Sequence, residues 1–196
     1  MALSEGKKRI LFVNACVRKD SRTRRLAEHL LGLLGGDAEE ARLEDAAFPV
    51  ADEAFLSKRD GLIAEWRFDD PMFALARQFA EADTVVIAAP CWDHSFPAAL
   101  KQYIEQISVV GLTFRYNEDN RPVGLCRGKR LYYVTTAGGE IFRPEFGFGY
   151  IDFLARSVFG FEETKQFCAE NLDVWGADVE GILKRTTEEM DRTVSG

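Results

Sequence analysis

Ser21 and Thr23 are the first residues in this chain that suggest chemistry. They close the segment Ala15-Cys16-Val17-Arg18-Lys19-Asp20-Ser21-Arg22-Thr23, just ahead of a leucine repeat with helical spacing. The first turn of a helix carries N–H groups without intrahelical partners and the positive end of the helix dipole, so anions bind there. Two hydroxyls at alternate positions beside such a turn suit a phosphate. The same two residues also read as ordinary N-caps. Neither G-x-x-x-x-G-K nor G-x-G-x-x-G occurs. A mononucleotide phosphate therefore fits this loop better than a triphosphate or a pyrophosphate.

A second segment, Ala89-Pro90-Cys91-Trp92-Asp93-His94-Ser95-Phe96-Pro97, joins an apolar run to a helical pattern. A connector that only had to turn would favour Gly, Asn and Asp. This one carries Trp92, Asp93, His94 and Phe96, which suggests a flat aromatic ligand held by backbone groups and ring contacts. Trp92 reads as a stacking ring or as packing at a dimer contact. Asp93 reads as an acceptor for a ring N–H or as a turn cap. His94 reads as a donor to ring or substrate, the one side chain worth testing as a proton donor, or as a structural histidine. A third segment, Ala137-Gly138-Gly139, follows another apolar run. Its glycines let a backbone approach a ligand closely, or simply turn the chain.

The elements that must position these segments are legible from periodicity. Arg9 to Asn14, Thr84 to Ala89 and Leu131 to Thr135 are continuous apolar runs, read as strands buried on both faces. Ala41-Arg42-Leu43 and Gln166 to Ala169 are weaker strand candidates. Helices are expected where Leu26, Leu30, Leu33 and Leu34 repeat before Gly35-Gly36, from Asp70-Pro71 through Phe79, and from Pro97 to Ile107. Two more are expected over residues 145–158, with Gly160 as cap, and around Val179, Ile182, Leu183 and Met190. His29 falls among the leucines of the first helix and reads as structural. Residues 44–70 read as a loop, with or without a short helix, that could cover part of a site, and 111–128 as a long excursion.

Strands alternating with helices imply a parallel sheet. The expected fold is α/β: one doubly wound, three-layer domain over residues 1–196, with about five strands in the order 2-1-3-4-5 and five helices. In that order the loops after strands 1, 3 and 4 lie at or beside the switch point, where open α/β sheets bind ligands. One loop would take a phosphate and the other two a planar ring, the shape of flavin mononucleotide (FMN).

Composition sets the outer bounds. The chain has 196 residues, 46% of them hydrophobic, and a formal net charge of −7. That charge argues against general nucleic-acid binding, although Lys7-Lys8-Arg9 and Arg22, Arg24 and Arg25 form small basic clusters. No apolar segment approaches the roughly 20 residues needed to span a membrane, and residues 1–9 lack an apolar signal-like core, so a cytoplasmic protein is expected. The four cysteines and two histidines show no zinc or iron–sulfur spacing. Cys16, Cys91, Cys126 and Cys168 read as reduced thiols used mostly as small apolar residues, with Cys91 the one to watch because its loop could face a ligand.

The chain resembles the flavodoxin-like NAD(P)H:quinone oxidoreductases, in particular the FMN-dependent NADH-azoreductase family. The segments carrying the resemblance are Ile10-Leu11-Phe12-Val13-Asn14 with Ser21-Arg22-Thr23, and Ala88 through His94. Gly111-Leu112-Thr113-Phe114-Arg115-Tyr116 with Gly124-Leu125, Gly128-Lys129, and Thr136-Ala137-Gly138-Gly139 follow. Phe159-Gly160-Phe161 and Phe167-Cys168-Ala169-Glu170 complete the set. The resemblance implies a homodimer with FMN near the interface and NADH or NADPH as electron donor. It implies a small-molecule acceptor, such as a quinone, azo or nitroaromatic compound, reduced by ping-pong hydride transfer. Ser21, the backbone of Arg22, and Thr23 would hold the phosphate. Pro90, Cys91, Trp92, Asp93 and His94 would line the ring, and Thr136, Ala137, Gly138 and Gly139 its other edge. Tyr116 matches a substrate-side aromatic.

Two departures stand out. Ala15-Cys16 replaces the usual Ser-Pro of the first loop, so Ala15 offers no hydroxyl. Trp92-Asp93-His94 replaces a Tyr-Asn pair and an apolar residue, placing a carboxylate and an imidazole where they would pull the flavin potential in opposite directions. The other reading is a non-enzymatic electron carrier or redox-responsive FMN-binding protein of the same fold. The cations of the first loop (Arg18, Lys19, Arg22, Arg24 and Arg25) suit an anionic dinucleotide or substrate better than a basic protein partner.

Overall fold

A computed structural model describes residues 8–35 and 37–194. Gly36 of the expected Gly-Gly helix end, and Lys7 with the rest of the first seven residues, lie outside the described residues. Five parallel strands make the main sheet: β1 (Ile10–Asn14), β2 (Ala38–Arg42), β3 (Thr84–Ala88), β6 (Arg130–Thr136) and β7 (Glu163–Ala169), in the order β2-β1-β3-β6-β7. Counting only these strands, the order is the expected 2-1-3-4-5.

Alternation along the strands builds two cores. Leu11, Val13, Val85, Ile87, Leu131 and Tyr133 face one way, onto Phe79 of α3 (Ala74–Glu81) and Leu100, Tyr103, Ile104 and Ile107 of α4 (Ala98–Ile107). Ile151 of α5 (Phe148–Leu154) completes this layer. Ile10, Phe12, Val86, Ala88, Tyr132, Val134 and Phe167 face the other way, onto Leu26, Ala27 and Leu30 of α1 (Arg22–Leu34) and Leu183 and Met190 of α6 (Val179–Val194). Burial on both faces is the reason the central strands read as continuous apolar runs. His29 of α1 meets Asp191 of α6 at 2.8 Å, a tie between two helices of one layer.

Some expectations are corrected. Residues 44–70 contain a full helix, α2 (Glu53–Ala64), capped by Asp52 through a 2.8 Å bond from the Phe55 N–H. Only Leu62 in it is buried, so it carries no apolar stripe for periodicity to detect. Six α-helices thus stand among the described residues rather than five. The excursion at 111–128 holds an antiparallel hairpin, β4 (Phe114–Tyr116) with β5 (Pro122–Gly124), too short to show alternation. Asp70-Pro71 opens a 3-10 turn, Pro71–Phe73, that leads into α3. α5 runs into a π-helical turn, Ala155–Phe159, which Gly160 ends with φ +86° as expected. Among the described residues no helix is long and apolar enough to cross a membrane.

Candidate functional site

Backbone bonds carry the sheet past its last paired residues and set the loops side by side. Ala15 N–H donates to Ala88 O at 2.9 Å, Ala89 N–H to Val134 O at 3.0 Å, and Cys91 N–H to Thr136 O at 2.9 Å. The loops after β1, β3 and β6 therefore leave the sheet together. Asn14 organises the first of them. Its side-chain carbonyl accepts from Cys16 N–H at 2.9 Å while its amide donates to Glu40 at 2.7 Å.

These loops enclose a cavity of about 600 Å³. The first loop lines it from Cys16 through Thr23, the second through Pro90, Cys91 and Trp92, and the third through Thr136, Ala137 and Gly138. Thus nine of the residues expected at the site meet in one space, drawn from three strand ends. The sheet's order at its β1–β3 switch point provides that space.

At the α1 end of the cavity, Ser21 is the N-cap of the helix, accepting from Arg24 N–H at 3.2 Å. As an acceptor in that bond it keeps its own O–H to donate elsewhere, so capping and anion binding are compatible at this residue. The first turn of α1 holds arginines and no acidic residue, which leaves the positive end of the helix without an internal counter-charge. Arg22 reaches Asp173 at 2.7 Å, and Thr23 is buried with its hydroxyl 2.6 Å from that of Thr136. Burial pushes the Cys16 thiol up, opposed by the Ser21 and Thr23 hydroxyls and the charge of Arg24. Burial and then Glu170 push the Cys91 thiol up as well, so the cavity presents neutral sulfur.

The remaining expected residues lie elsewhere. Trp92 and Ser95 exchange two 2.9 Å backbone bonds, with Asp93 at φ +51° and His94 at φ +64° between them. Positive φ at both central residues is the signature of a type I′ turn, and Asp and His are among the residues that tolerate it. Asp93 and His94 are the tip of this turn and do not line the large cavity. His94 instead borders a small space with Cys91, Ser95, Tyr133, Thr135 and Phe148. Gly139 stands just outside the cavity, accepting from Asn171 N–H. Tyr116, on β4, is 54% exposed and packs edge-on against Phe114, away from the cavity lining.

The sequence matches the family profile described as Flavodoxin-like fold over residues 8–194. It is 33% identical over 194 residues to the FMN-dependent NADH:quinone oxidoreductase of Coprothermobacter proteolyticus, covering 93% of this chain and 94% of that protein. The chain belongs to the flavodoxin-like family of FMN-dependent NADH:quinone oxidoreductases. It is also 47% identical over 124 residues to FMN-dependent NADH:quinone oxidoreductase 2 of Clostridium acetobutylicum, over 61% of this chain and 62% of that relative. This second match therefore spans just under two thirds of the relative's length. Among solved structures, the FMN-dependent NADH-azoreductase of Bacillus anthracis in complex with FMN superposes with a TM-score of 0.80. The two are 23% identical, and the match covers 96% of this chain and 98% of that one. At this identity the likeness establishes the fold.

The cavity of this flavodoxin-like oxidoreductase suits FMN on its own geometry. Its volume falls in the roughly 300–1,000 Å³ range of small-molecule sites, and its lining includes both the N-terminus of α1 and the Trp92 indole. Sequence reasoning missed Leu172 and Asp173, which also line it. They follow β7, and their N–H groups bond Ala137 O at 3.2 Å and Gly138 O at 2.9 Å. A Cβ at Gly138 would lie 2.6 Å from the Asp173 carboxylate. Gly138 has no positive φ, and a side chain there would need the exposed Asp173 carboxylate to shift aside. The glycine pair was the local signal; its partner lies over thirty positions away and left none.

Proposed function

We propose that this chain is an enzyme that binds FMN in the three-loop cavity and transfers electrons from NADH to quinone, azo or nitroaromatic acceptors. The observation that carries the reading is the convergence of the β1, β3 and β6 loops on one space of suitable size. FMN supplies the two-electron redox chemistry when bound. The chain's own residues bind, orient and shield it. The Ser21 hydroxyl, the first-turn N–H groups of α1 and Thr23 hold the phosphate. Pro90, Cys91 and Trp92 support one side of the ring, and Thr136, Ala137, Gly138 and Gly139 the other edge. Asp93 and His94 act on that ring by shaping the turn that carries Trp92.

Donor and acceptor use the open side of the cleft in turn, as a ping-pong scheme requires. Arg18 and Lys19 line the cavity and suit an anionic dinucleotide. A second copy of the chain is proposed to complete the cleft, supported by the exposed aromatic side chains of Trp92 in its lining, of Phe146, whose carbonyl accepts from the Ser95 hydroxyl, and of Phe142 and Phe153. Tyr116 is proposed as a substrate-side aromatic, and the chain as a cytoplasmic protein.

Mixing the FMN-loaded protein with NADH or NADPH in a stopped-flow instrument tests the reading. Bleaching of the flavin band, faster than for free FMN, is expected with NADH, followed by recovery with a quinone. A purified protein that gains no flavin absorbance on reconstitution refutes it, and one that binds FMN yet is reduced no faster than free flavin is a carrier.

A further inference from the structure

Thr23 and Thr136 stand 113 positions apart in sequence, yet their hydroxyl oxygens lie 2.6 Å from each other. Both are nearly buried and both line the large cavity. Thr23 belongs to the first turn of α1, at the phosphate end. Thr136 closes β6, beside the Gly-Gly edge that the resemblance assigns to the ring. One hydroxyl donates to the other, so the pair retains one O–H to offer elsewhere. The direction of the bond decides which end of the ligand receives it.

Several charges set that direction. The α1 N-terminus, Arg18, Lys19 and Arg22 stand on the Thr23 side, against the carboxylates of Asp20 and of Asp173, the latter held by Arg22. An anion at the helix terminus draws an O–H towards itself, because a charge-assisted bond is roughly twice as strong as a neutral one. It also polarises the bond behind. The competing acceptor for the Thr23 proton is the Cys16 thiol, which lines the same cavity. Sulfur is a weak acceptor, and the Cys16 S–H is itself directed at Ala88 O, 3.7 Å away.

We propose that Thr136 is a positioning residue for the phosphate end of the ligand: it donates to Thr23 and thereby aims the Thr23 O–H at the phosphate. This rests on the FMN reading above. It moves Thr136 from the ring edge to the opposite end of the cofactor, and it makes a relay of two hydroxyls from two strand ends stand in for the hydroxyl that Ala15 lacks.

Riboflavin has the same ring as FMN and no phosphate, so the pair of flavins separates the two ends. Fluorescence-quenching titrations of the apo-protein give both affinities. T136V is expected to weaken FMN binding about fivefold while changing riboflavin binding less than about twofold, and T136S restores the FMN affinity. T23V is expected to weaken FMN at least as much. The double variant T23V/T136V should then bind FMN no more weakly than T23V alone, because the relay is already broken. Additive losses, or equal losses for FMN and riboflavin, overturn the relay. Should T136V fail to fold, T136A completes the same cycle. An unaltered chain that binds neither flavin overturns the functional reading and the relay together. An additive cycle in a chain that binds FMN normally overturns the relay alone.

Discussion

Replacing Ser21 with Asp should strengthen the apo-fold and weaken FMN binding, two effects of opposite sign from one side chain. Ser21 caps α1 through its Oγ at 3.2 Å from Arg24 N, and Asp caps as well as Ser does. The first turn contains Arg22, Arg24 and Arg25 and no acid. A carboxylate there meets the positive end of the dipole, which contributes about 0.3–1 kcal/mol at an exposed terminus. For a chain of this size the gain corresponds to a rise in Tm of about 1–4 °C. The phosphate meets the opposite situation. It loses the Ser21 O–H, worth roughly 1.5–3 kcal/mol as a bond to a charged group. It also faces a like charge at about 4 Å, which costs about 4 kcal/mol at an effective dielectric constant near 20. FMN affinity should therefore fall by at least about a thousandfold, with riboflavin affinity nearly unchanged. Thermal unfolding of the apo-protein by circular dichroism, with flavin titration beside it, reads both. Unchanged FMN affinity in S21D would refute the placement of the phosphate at α1, and an apo-Tm several degrees lower would refute the capping argument.

Three further outcomes are expected. In G124A the new Cβ would lie 2.1–2.3 Å from backbone atoms of Phe159 and Gly160, which cannot yield as a side chain tip can. The cost is about 3 kcal/mol or more, seen as a Tm drop of roughly 6–12 °C. Changing Asp93-His94 to Asn-Gly supplies the preferred type I′ sequence and relieves a left-handed non-glycine residue of about 1 kcal/mol, raising Tm by about 2–4 °C. Turnover of that variant within about twofold of the parent assigns His94 to the turn, while a loss above tenfold assigns it to proton transfer. Burial pushes the Cys126 thiol up from 9.0 to about 12. Because the neutral thiol is favoured in the fold, its contribution is complete below pH 9 and is lost as pH rises towards 12. The slope is at most about 1.4 kcal/mol per pH unit. Urea unfolding across that range should show C126A with the shallower alkaline decline.

Local pattern carried much of the reading. Ile10 to Val13, Val85 to Ala88 and Leu131 to Val134 are apolar at every position because helices cover both faces of the sheet, and no tertiary knowledge is needed to see it. Helix α2 stayed hidden for the converse reason, since almost none of it is buried. Asp93 and His94 carried the chemistry expected of the ring loop by residue type. In the fold their positive φ values turn them into the tip of a hairpin, a backbone property that side-chain identity suggested only as an alternative for Asp93.

By itself, the sequence determined an α/β sheet and the three loops that carry Ser21, Pro90 to Trp92, and Thr136 to Gly138. It did so because strand burial, helix starts and turn chemistry are written in neighbouring residues. Only the tertiary structure decided which of those side chains share a cavity and what each one touches. The Thr23–Thr136 bond spans 113 positions, and the Arg22–Asp173 pair 151. Such contacts follow from the order and register of the strands, which bring α1, β3, β6 and β7 to one edge, and no local periodicity encodes them.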